Sequence, residues 1–428
     1  MRVTRWVGAL AVLLASSVLC AAGQAPAPQA ADNPVRTLVG RLDLERYKAT
    51  IKGLTQFGDR RQGTDRNRAA TDWIEAQLKS YGCANTERIT YEYAPQPRTP
   101  VDGAIVISGA IAAGRGGGDA AAAAAGGGRA GAPQGRGGGG GGGGGIPRKG
   151  VRGPTGVNND PNRQPDETLR ALDMQPSTPG PRDEVFCTKI GTTRPDEMYI
   201  IGAHMDGLGY AEGANDNASG TAIVMEMARI FSSPDVRTER SIRFILWNNE
   251  ETGLNGARAY VDQRRELQGK EDPPASRRYP EPRWLGMIQH DMMLYDHGMP
   301  RADGTLPPEQ RPEADVNIEF AGTSKMAAES QALAWQLKAA NDRYATDFPV
   351  MVGNRMSNTD SVPFQDYVAA ISLREAERGS QVGSGWDPHW HQPTDLYATF
   401  SDKDFRLGLN AAQTTLAAAA QLAGATIK

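Results

Sequence analysis

Five short segments between positions 204 and 391 carry the residue types that a two-metal hydrolase requires. Imidazole and carboxylate ligands can hold two ions about 3.5–4 Å apart, and such a pair can activate one water and polarise a scissile carbonyl. One carboxylate must then be shared, and Asp216, in a Gly-flanked turn at 213–220, is the best candidate. The segments are His204-Met-Asp206, the Asp216 turn, the pair Glu250-Glu251, Asp291, and His391 before Gln-Pro-Thr-Asp395.

Three apolar runs explain how residues so distant in sequence could meet. Residues 198–203, 241–248 and 285–289 are each rich in apolar side chains, which predicts buried and mainly parallel strands. Each run ends just before a polar segment of the set. Because open α/β sheets bind ligands at the carboxyl ends of their strands, we expect these segments to share one edge. In an extended segment His204 and Asp206 point to the same side, so Asp206 is expected to accept the imidazole N–H.

The adjacent carboxylates Glu250 and Glu251 are expected to divide two tasks. One would ligate metal, and the other would act as general base toward the reacting water. A solvated edge is the alternative for this pair. It is disfavoured because an acidic pair is uncommon straight after a strand as apolar as 241–248.

These residues and their contexts resemble the co-catalytic dizinc exopeptidases, a family of secreted bacterial leucyl aminopeptidases, glutamate carboxypeptidase and the glutaminyl cyclases. The resemblance extends to Arg61-Gln-Gly-Thr64 and to Thr359-Asp360 near Pro363-Phe364, and covers most of the chain from about position 45. It implies two Zn²⁺ ions per chain, with Glu250 as general base and Asp206 as the carboxylate that orients the histidine. The implied ligands are His204, Asp216 and Asp291 for one ion, and Asp216, Glu251 and His391 for the other.

Several positions depart from the family pattern or admit a second assignment. Gly207 stands where the family usually has serine, and His290, next to the third carboxylate, could compete for metal or be a core histidine. His389 faces the same side as His391 in an extended segment, and only Pro393 and Asp395 favour His391. The remaining alternatives are helix capping by Asp216 or Asn217, a structural salt bridge at Asp291 or ligation by Asp296, an exposed His297, and either metal-site hydrogen bonding or helix capping by Asp360.

The rest of the chain predicts a single three-layer α/β/α domain around a mostly parallel mixed sheet. Polar, Pro-rich loops at 267–283 and 296–313 flank the Glu251 and Asp291 segments and are expected to form part of the pocket rim. Helices are predicted at 67–81, 324–344 and 403–422, and further strands at 89–93, 185–190, 316–320, 349–352 and 370–373.

The N-terminal part has the pattern of an export signal. Arg2 and Arg5 precede an apolar stretch too short to span a membrane, and small residues follow it, so residues 1–23 are interpreted as a signal peptide. A linker at 24–33 then leads to the peptidase domain, 34–428. The protein is therefore expected to be secreted or periplasmic, with no stable membrane span after cleavage. Lipidation at Cys20 is disfavoured because Leu19 before it fits that signal poorly.

A low-complexity insert is expected to interrupt the domain at about 96–182. From 114 to 145 the chain is nearly all Gly, Ala and Arg, a composition that cannot bury apolar surface. Two cysteines remain beyond the signal. Cys83 and Cys187 could form a disulfide in an oxidising compartment, or Cys187 could be a buried free thiol in its strand.

Composition and site together favour a metallo-exopeptidase, most simply an aminopeptidase that acts on peptides. A net charge of −3 offers no basic field for nucleic acid. The alternatives are a glutaminyl-peptide cyclotransferase, a carboxypeptidase, or a non-catalytic ectodomain of the same fold. Oligomeric state, substrate side chain and the choice among zinc, cobalt and manganese stay open, because nitrogen and oxygen ligands suit several ions.

Overall fold

An eight-stranded mixed sheet forms the centre of the protein, whose computed structural model describes residues 33–83, 85–94, 99–101, 104–106, 157–295, 316–375 and 387–428. Predictions for 1–23, for most of the 24–33 linker, for the tract at 114–145, and for Asp296, His297 and the loop at 296–313 concern residues outside these ranges. The strands in the described ranges are β1 (Glu87–Tyr93), β2 (Thr99–Val101), β3 (Ala104–Val106), β4 (Gly180–Lys189), β5 (Arg194–His204), β6 (Val236–Arg237), β7 (Arg240–Trp247), β8 (Arg283–His290), β9 (Val316–Phe320), β10 (Val350–Gly353), β11 (Ala370–Glu375) and β12 (Thr426–Ile427). Of these, β2 pairs with β3 and β6 pairs with β12 in two separate two-stranded sheets.

The central sheet has the strand order β1-β4-β7-β5-β8-β11-β9-β10. Its four central strands, β7, β5, β8 and β11, are mutually parallel. Antiparallel pairs occur at β1/β4, β4/β7 and β11/β9, while β10 is parallel to β9. The predicted α/β class with a mixed, mainly parallel sheet is thereby confirmed.

Helices pack on both faces of this sheet because side chains alternate along each strand. The helices are α1 (Pro34–Val39), α2 (Leu44–Thr55), α3 (Asp65–Ser80), α4 (Glu167–Asp173), α5 (Gly220–Phe231), α6 (Asn255–Arg264), α7 (Ala327–Tyr344) and α8 (Asp402–Leu422). Ile201 and Phe244 belong to a core shared with α1, α2, α3, α5, α7 and α8, whereas Ile200 and Ile245 belong to a second core under α6.

The chain reverses its direction across the sheet at β5, and this reversal creates a crevice. It passes from β5 through α5 to β7 on one side, then returns through α6 to β8 on the other side. Because parallel crossovers are almost always right-handed, the two helices lie on opposite faces. A crevice at the carboxyl end of the strand between them is where doubly wound sheets bind ligands. His204 ends β5 beside Trp247 of β7, and Ala203 pairs with His290 of β8.

The structure differs from two sequence-based expectations, one about the extent of the insert and one about the position of a loop. The insert does not extend to 182, because residues 157–182 include a 3₁₀ turn (Pro161–Arg163), α4 and the start of β4. Polar contacts hold this segment in place although it buries little apolar surface. A prediction based on apolar composition therefore misses its structure. The loop at 267–283 is not at the pocket rim either. It leads into the amino end of β8, where Arg283 pairs with Glu197 at 2.7 Å, and so lies at the opposite end of the sheet from the crevice.

Cys83 and Cys187 form a disulfide that ties the chain after α3 to β4. Of the two states that the sequence left open, the structure therefore has the bridge. Among the helices in the described ranges, none combines the length and apolar character needed to cross a membrane.

Candidate metal centre

The two oxygens of Asp216 face two different groups of potential metal ligands. Oδ1 lies 3.4 Å from Nε2 of His204, which is itself 3.4 Å from Oδ1 of Asp291. Oδ2 lies 3.0 Å from Nε2 of His391, which is 2.9 Å from Oε2 of Glu251. Within each group the ligand atoms lie no more than 4.8 Å apart. The structure thus brings all five candidate ligands together, with Asp216 between the groups.

Asp395 holds the Asp216 turn in place through its carboxylate. Its carboxylate accepts hydrogen bonds from the backbone N–H of Asn215 at 2.7 Å and of Asp216 at 3.0 Å. Asn217, and not Asp216, supports the start of α5, since its Oδ1 accepts the N–H of Gly220 at 3.0 Å. The carboxylate of Asp216 is therefore not used for helix capping.

Asp206 orients the loop that carries the acidic pair more directly than it orients His204. Its Oδ1 accepts the backbone N–H of Glu250 at 3.1 Å, and its Oδ2 accepts that of Glu251 at 3.4 Å. The carboxylate is 3.8 Å from Nδ1 of His204, whereas the backbone carbonyl of Asp206 is 3.0 Å from the same nitrogen. The two side chains therefore lie near each other as expected, but the hydrogen-bond distance to the imidazole is that of the backbone carbonyl, because the segment leaves the strand at His204.

Glu250 and Glu251 have different neighbours beyond the end of β7. Glu251 contacts His391 through Oε2, and its Oε1 is buried with no hydrogen-bond partner among the described residues. Glu250 groups with His204 and Glu251 within 4.8 Å without entering either of the groups that contain Asp216. Burial raises the pKa of Glu250 well above its usual range, and the charge of Glu251 adds to the increase. Glu250 is thus placed beside the ligands and suited to carry a proton.

Asp291 combines the ligand position with the salt bridge that was its alternative. Its Oδ2 accepts a hydrogen bond from Nη2 of Arg374 at 3.0 Å, which leaves Oδ1 directed toward His204. Arg374 also donates to Oδ1 of Asn358 at 3.2 Å. The guanidinium therefore fixes which oxygen of Asp291 faces the other ligands.

The two histidines near the C-terminus separate clearly. His391 points to Asp216 and Glu251, and the ring of Trp390 stacks on it at 4.2 Å between centroids. Nδ1 of His389 is instead 2.8 Å from the hydroxyl of Thr394. The expectation that both histidines face one side is wrong, because residues 388–394 form turns and not an extended segment.

His290 belongs to the core and not to the metal-ligand cluster. Its Nε2 is 2.9 Å from the hydroxyl of Thr415 on α8, and burial lowers its pKa to about 4. Asp360 is buried near the cluster, where its Oδ2 accepts a hydrogen bond from Nε2 of Gln289 at 3.1 Å. Gln289 in turn accepts from the indole of Trp247 at 2.9 Å.

The cluster fits divalent cations on chemical grounds. Two imidazoles and three carboxylates supply only nitrogen and oxygen donors, a set that suits zinc and several neighbouring ions. Burial raises the pKa of Glu251 to about 7, with the charge of Asp216 contributing. Such an excess of buried negative charge is costly unless cations compensate it. The open oxygen of Glu251 is available for the same purpose.

Sequence patterns gave no signal for two residues that support the site. Arg60 is fully buried and donates to the backbone carbonyls of Met205 at 2.7 Å and of Gly213 at 2.8 Å, so it fixes the loops that follow His204 and precede Asp216. Asn215 donates to the carboxylates of Glu375 and Asp387, each at 2.9 Å. These bonds go to main-chain carbonyls or to polar side chains far away in the sequence. No local sequence motif therefore predicts them.

Gly207 is required by this packing. A Cβ atom at this position would lie 2.8 Å from the carbonyl oxygen of Asp216 and 3.0 Å from that of Asp59. The serine that the family usually has here would therefore clash in this chain. The departure noted in the sequence reflects how closely the Asp59 and Asp216 backbones approach each other.

Short stretches of the sequence are similar to known aminopeptidases. The chain is 47% identical to aminopeptidase YwaD of Bacillus subtilis strain 168 over 68 residues, and this stretch covers 16% of this chain and 14% of that protein. It is 39% identical to the probable lipoprotein aminopeptidase LpqL of Mycobacterium tuberculosis over 82 residues, and this stretch covers 19% of this chain and 16% of that protein. The matched stretches thus span only about a seventh of these relatives.

Solved structures support the fold over a much longer part of the chain. A zinc aminopeptidase from Bacillus subtilis superposes with a TM-score of 0.55 at 16% identity, covering 89% of this chain and 95% of that chain. A glutaminyl cyclase from Porphyromonas gingivalis gives a TM-score of 0.52 at 14% identity, covering 89% and 99%. At these identities the likeness shows the fold alone.

The family assignment comes from a longer match in sequence. The profile described as peptidase family M28 matches residues 185–414, which is more than half of the chain and includes every candidate ligand from His204 to His391. The resemblance inferred from the motifs is thereby confirmed, and the chain belongs to peptidase family M28.

Proposed function

We propose that the protein is a zinc-dependent exopeptidase, and most specifically an aminopeptidase that releases N-terminal residues from peptides. The observation that carries this proposal is the position of Asp216 between two groups of ligands. Membership of the M28 family supports peptide hydrolysis, and the relatives of the chain include aminopeptidases of Bacillus subtilis and Pseudomonas aeruginosa.

The residues would hold two ions, one at His204, Asp216 and Asp291 and one at Asp216, Glu251 and His391. When bound, the ions would supply Lewis-acid polarisation of the scissile carbonyl and activation of water. Glu250 would accept the proton from the attacking water and donate it to the leaving amine. Asp206 would hold both members of the acidic pair through their backbone amides, so that Glu250 keeps its position while its protonation changes.

Export from the cytoplasm is part of the proposal. Residues 1–23 would be removed as a signal peptide, residues 24–33 would act as a linker, and residues 34–428 would form the peptidase domain with its insert. The disulfide between Cys83 and Cys187 supports a secreted or periplasmic location, because such bonds persist in oxidising compartments.

A glutaminyl cyclase shares this fold and is the alternative function. The family resemblance implies that such an enzyme uses one zinc and no water. Both ligand groups and Glu250 are present here, and this favours hydrolysis.

Metal stoichiometry tests the proposal directly. The purified protein should hold two zinc ions, and Asp216→Ala should lower affinity for both, because each group loses the shared ligand. Elemental analysis and hydrolysis of aminoacyl anilides would be measured on the same samples. One tight ion in the native protein, together with cyclisation of N-terminal glutamine, would overturn the peptidase assignment.

A further inference from the structure

The residues that follow the Gly-rich tract bridge two loops of the metal-ligand cluster. We name residues 157–164 the strap. The backbone N–H of Asn158 donates to the carbonyl of His391 at 3.0 Å, and its side-chain amide donates to the carbonyl of Gly209 at 3.1 Å. The side-chain amide of Gln164 donates to the carbonyls of Tyr210 at 2.8 Å and Pro393 at 3.0 Å. Each end of the strap thus joins the loop after His204 to the turn around His391.

The two residues that make these contacts are buried, although most of the strap is not. Asn158 is 4% exposed and Gln164 is fully buried, whereas Asn159 and Asn162 are exposed. Oε1 of Gln164 accepts the N–H of Asp166 at 3.1 Å, so the whole side-chain amide is engaged. The pattern shows that the strap makes specific polar contacts and does not merely cover the surface.

The turn around His391 needs support from outside itself. His391 has a φ of 54°, which is uncommon for a residue with a side chain and is retained only where surrounding contacts impose it. Gly209 packs so closely that a Cβ there would lie 2.5 Å from the carbonyl carbon of His391. The strap holds the same carbonyl group through Asn158 and the same loop through Gln164.

The strap is itself connected through α4 to the chain that precedes α3. Nη1 of Arg170 on α4 donates to the carbonyl of Gln164 at 2.9 Å. At the end of α4, Asp173 accepts the backbone N–H of Asp59 at 3.1 Å. A continuous series of contacts therefore runs from the chain before α3 through α4 to the His391 turn.

From these contacts we infer that the strap is a positioning element for His391. Asn158 and Gln164 would then set the metal affinity of the group formed by Asp216, Glu251 and His391. The strap lies before residue 185, where the family match begins, so this dependence belongs to this chain and not to the matched region. The inference rests on the proposed metal-dependent function. Residues that orient metal ligands typically change metal affinity by about 10–100-fold when they are replaced.

Gln164→Glu is the decisive substitution because it keeps the shape and the acceptor for Asp166 but replaces a donor with an oxygen. That oxygen would face two carbonyl oxygens. We expect one of the two ions to be lost to a chelator at about 10–100-fold lower concentration, while the other ion is retained. In the metal-free protein, amide exchange at 389–393 should become faster. Lowering the pH should bring the exchange of the metal-free variant closer to that of the native protein at the same pH, since a buried carboxyl regains a proton and becomes a donor.

Gln336→Glu is the matched control, because it makes the same glutamine-to-glutamate change at an exposed position of α7, outside the strap. It should leave metal retention and exchange as in the native protein. Gln164→Ala removes the donors without adding charge and should shift both measurements in the same direction as Gln164→Glu, so it replaces that variant if the latter fails to fold. Native metal retention and native exchange in both Gln164 variants would overturn the inference. If the native protein holds one ion or does not hydrolyse peptides, the proposed function fails, whereas exchange in the metal-free protein still decides the role of the strap.

Discussion

At the scale of single residues, the chemistry depends on two adjacent glutamates that differ in what they contact. Glu250→Gln keeps the shape but cannot carry a proton, so we expect hydrolysis to fall about 10²-fold or more with normal metal content. Glu251→Gln should instead release metal, because it alters the contact with His391. Hydrolysis rates and elemental analysis of both variants measure the two effects. Reversed phenotypes would mean that the two roles are exchanged.

The grouping of the candidate ligands could be predicted from sequence because ligand chemistry restricts residue types. Histidine and carboxylates at strand ends are few, and their order along the chain is specific. Their supports could not be anticipated. Arg60 binds main-chain carbonyls, which carry no sequence information, and Arg374 meets Asp291 from a strand 83 positions away. Strand alternation predicts that the carboxylate of Asp206 faces His204, and it lies 3.8 Å from that imidazole. Its hydrogen bonds to the Glu250 loop could not be predicted, because the chain leaves the strand at His204.

At the scale of elements, α4 is joined to the loop before α3 by a buried cluster of two carboxylates and one guanidinium. Arg66 lies 2.6 Å from Asp59 and 3.5 Å from Asp173, so one cation serves both acids. Burial raises the pKa of Asp173 to about 8, with the charge of Asp59 contributing. The folded protein therefore holds a proton on Asp173 that the unfolded chain releases above its ordinary pKa of 3.8.

This proton makes the stability of the fold depend on pH. Because the folded pKa is the higher one, the contribution is fully present below pH 4 and is lost as pH rises through 8. Asp173→Asn stays neutral and keeps the acceptor for the N–H of Asp59. We expect it to be more stable than the native protein at pH 9 by on the order of 1–3 kcal/mol, with little difference at pH 4, where Asp173 is protonated in the folded protein and about half protonated in the unfolded chain. Urea unfolding at both pH values measures this, with exposed Asp65→Asn as control. Parallel pH profiles for the native protein and Asp173→Asn would contradict it.

Strands and helices with strong periodicity could be predicted almost to their ends. The strand at Val316–Phe320 coincides with its prediction, and the long C-terminal helix begins one residue before it. The errors fall where polar contacts decide the structure. Residues 157–182 are rich in proline and polar side chains, and their order comes from buried bonds such as those of Gln164, which no hydrophobic period reveals. Sequence also cannot tell at which end of the sheet a loop lies, as at 267–283, until the strand order is known.

At the scale of the whole molecule, the site draws on nearly the entire length of the chain. Four of the five candidate ligands lie at or after the ends of three neighbouring central strands, and His391 comes from the turns at 388–394. The contacts that support them come from residues as distant as Arg60 and Asp395. The disulfide between Cys83 and Cys187 joins the helical layer to the sheet across a separation of 104 residues. Cutting or shortening the chain is therefore expected to be tolerated only where no such contact is made.

Two deletions test that expectation. Residues 114–145 contain no apolar side chain larger than alanine or proline, so they can contribute little burial, and loop length costs only about 0.6 kcal/mol per doubling. Replacing them with a short Gly/Ser linker should leave the melting temperature and aminoacyl-anilide hydrolysis nearly unchanged. Deleting residues 157–178 should sharply lower both, since it removes the strap and the partner of Arg66. If the first deletion folds but loses turnover, the Gly-rich tract reaches the crevice. If the second retains native hydrolysis, the folded segment before β4 has no part in the site.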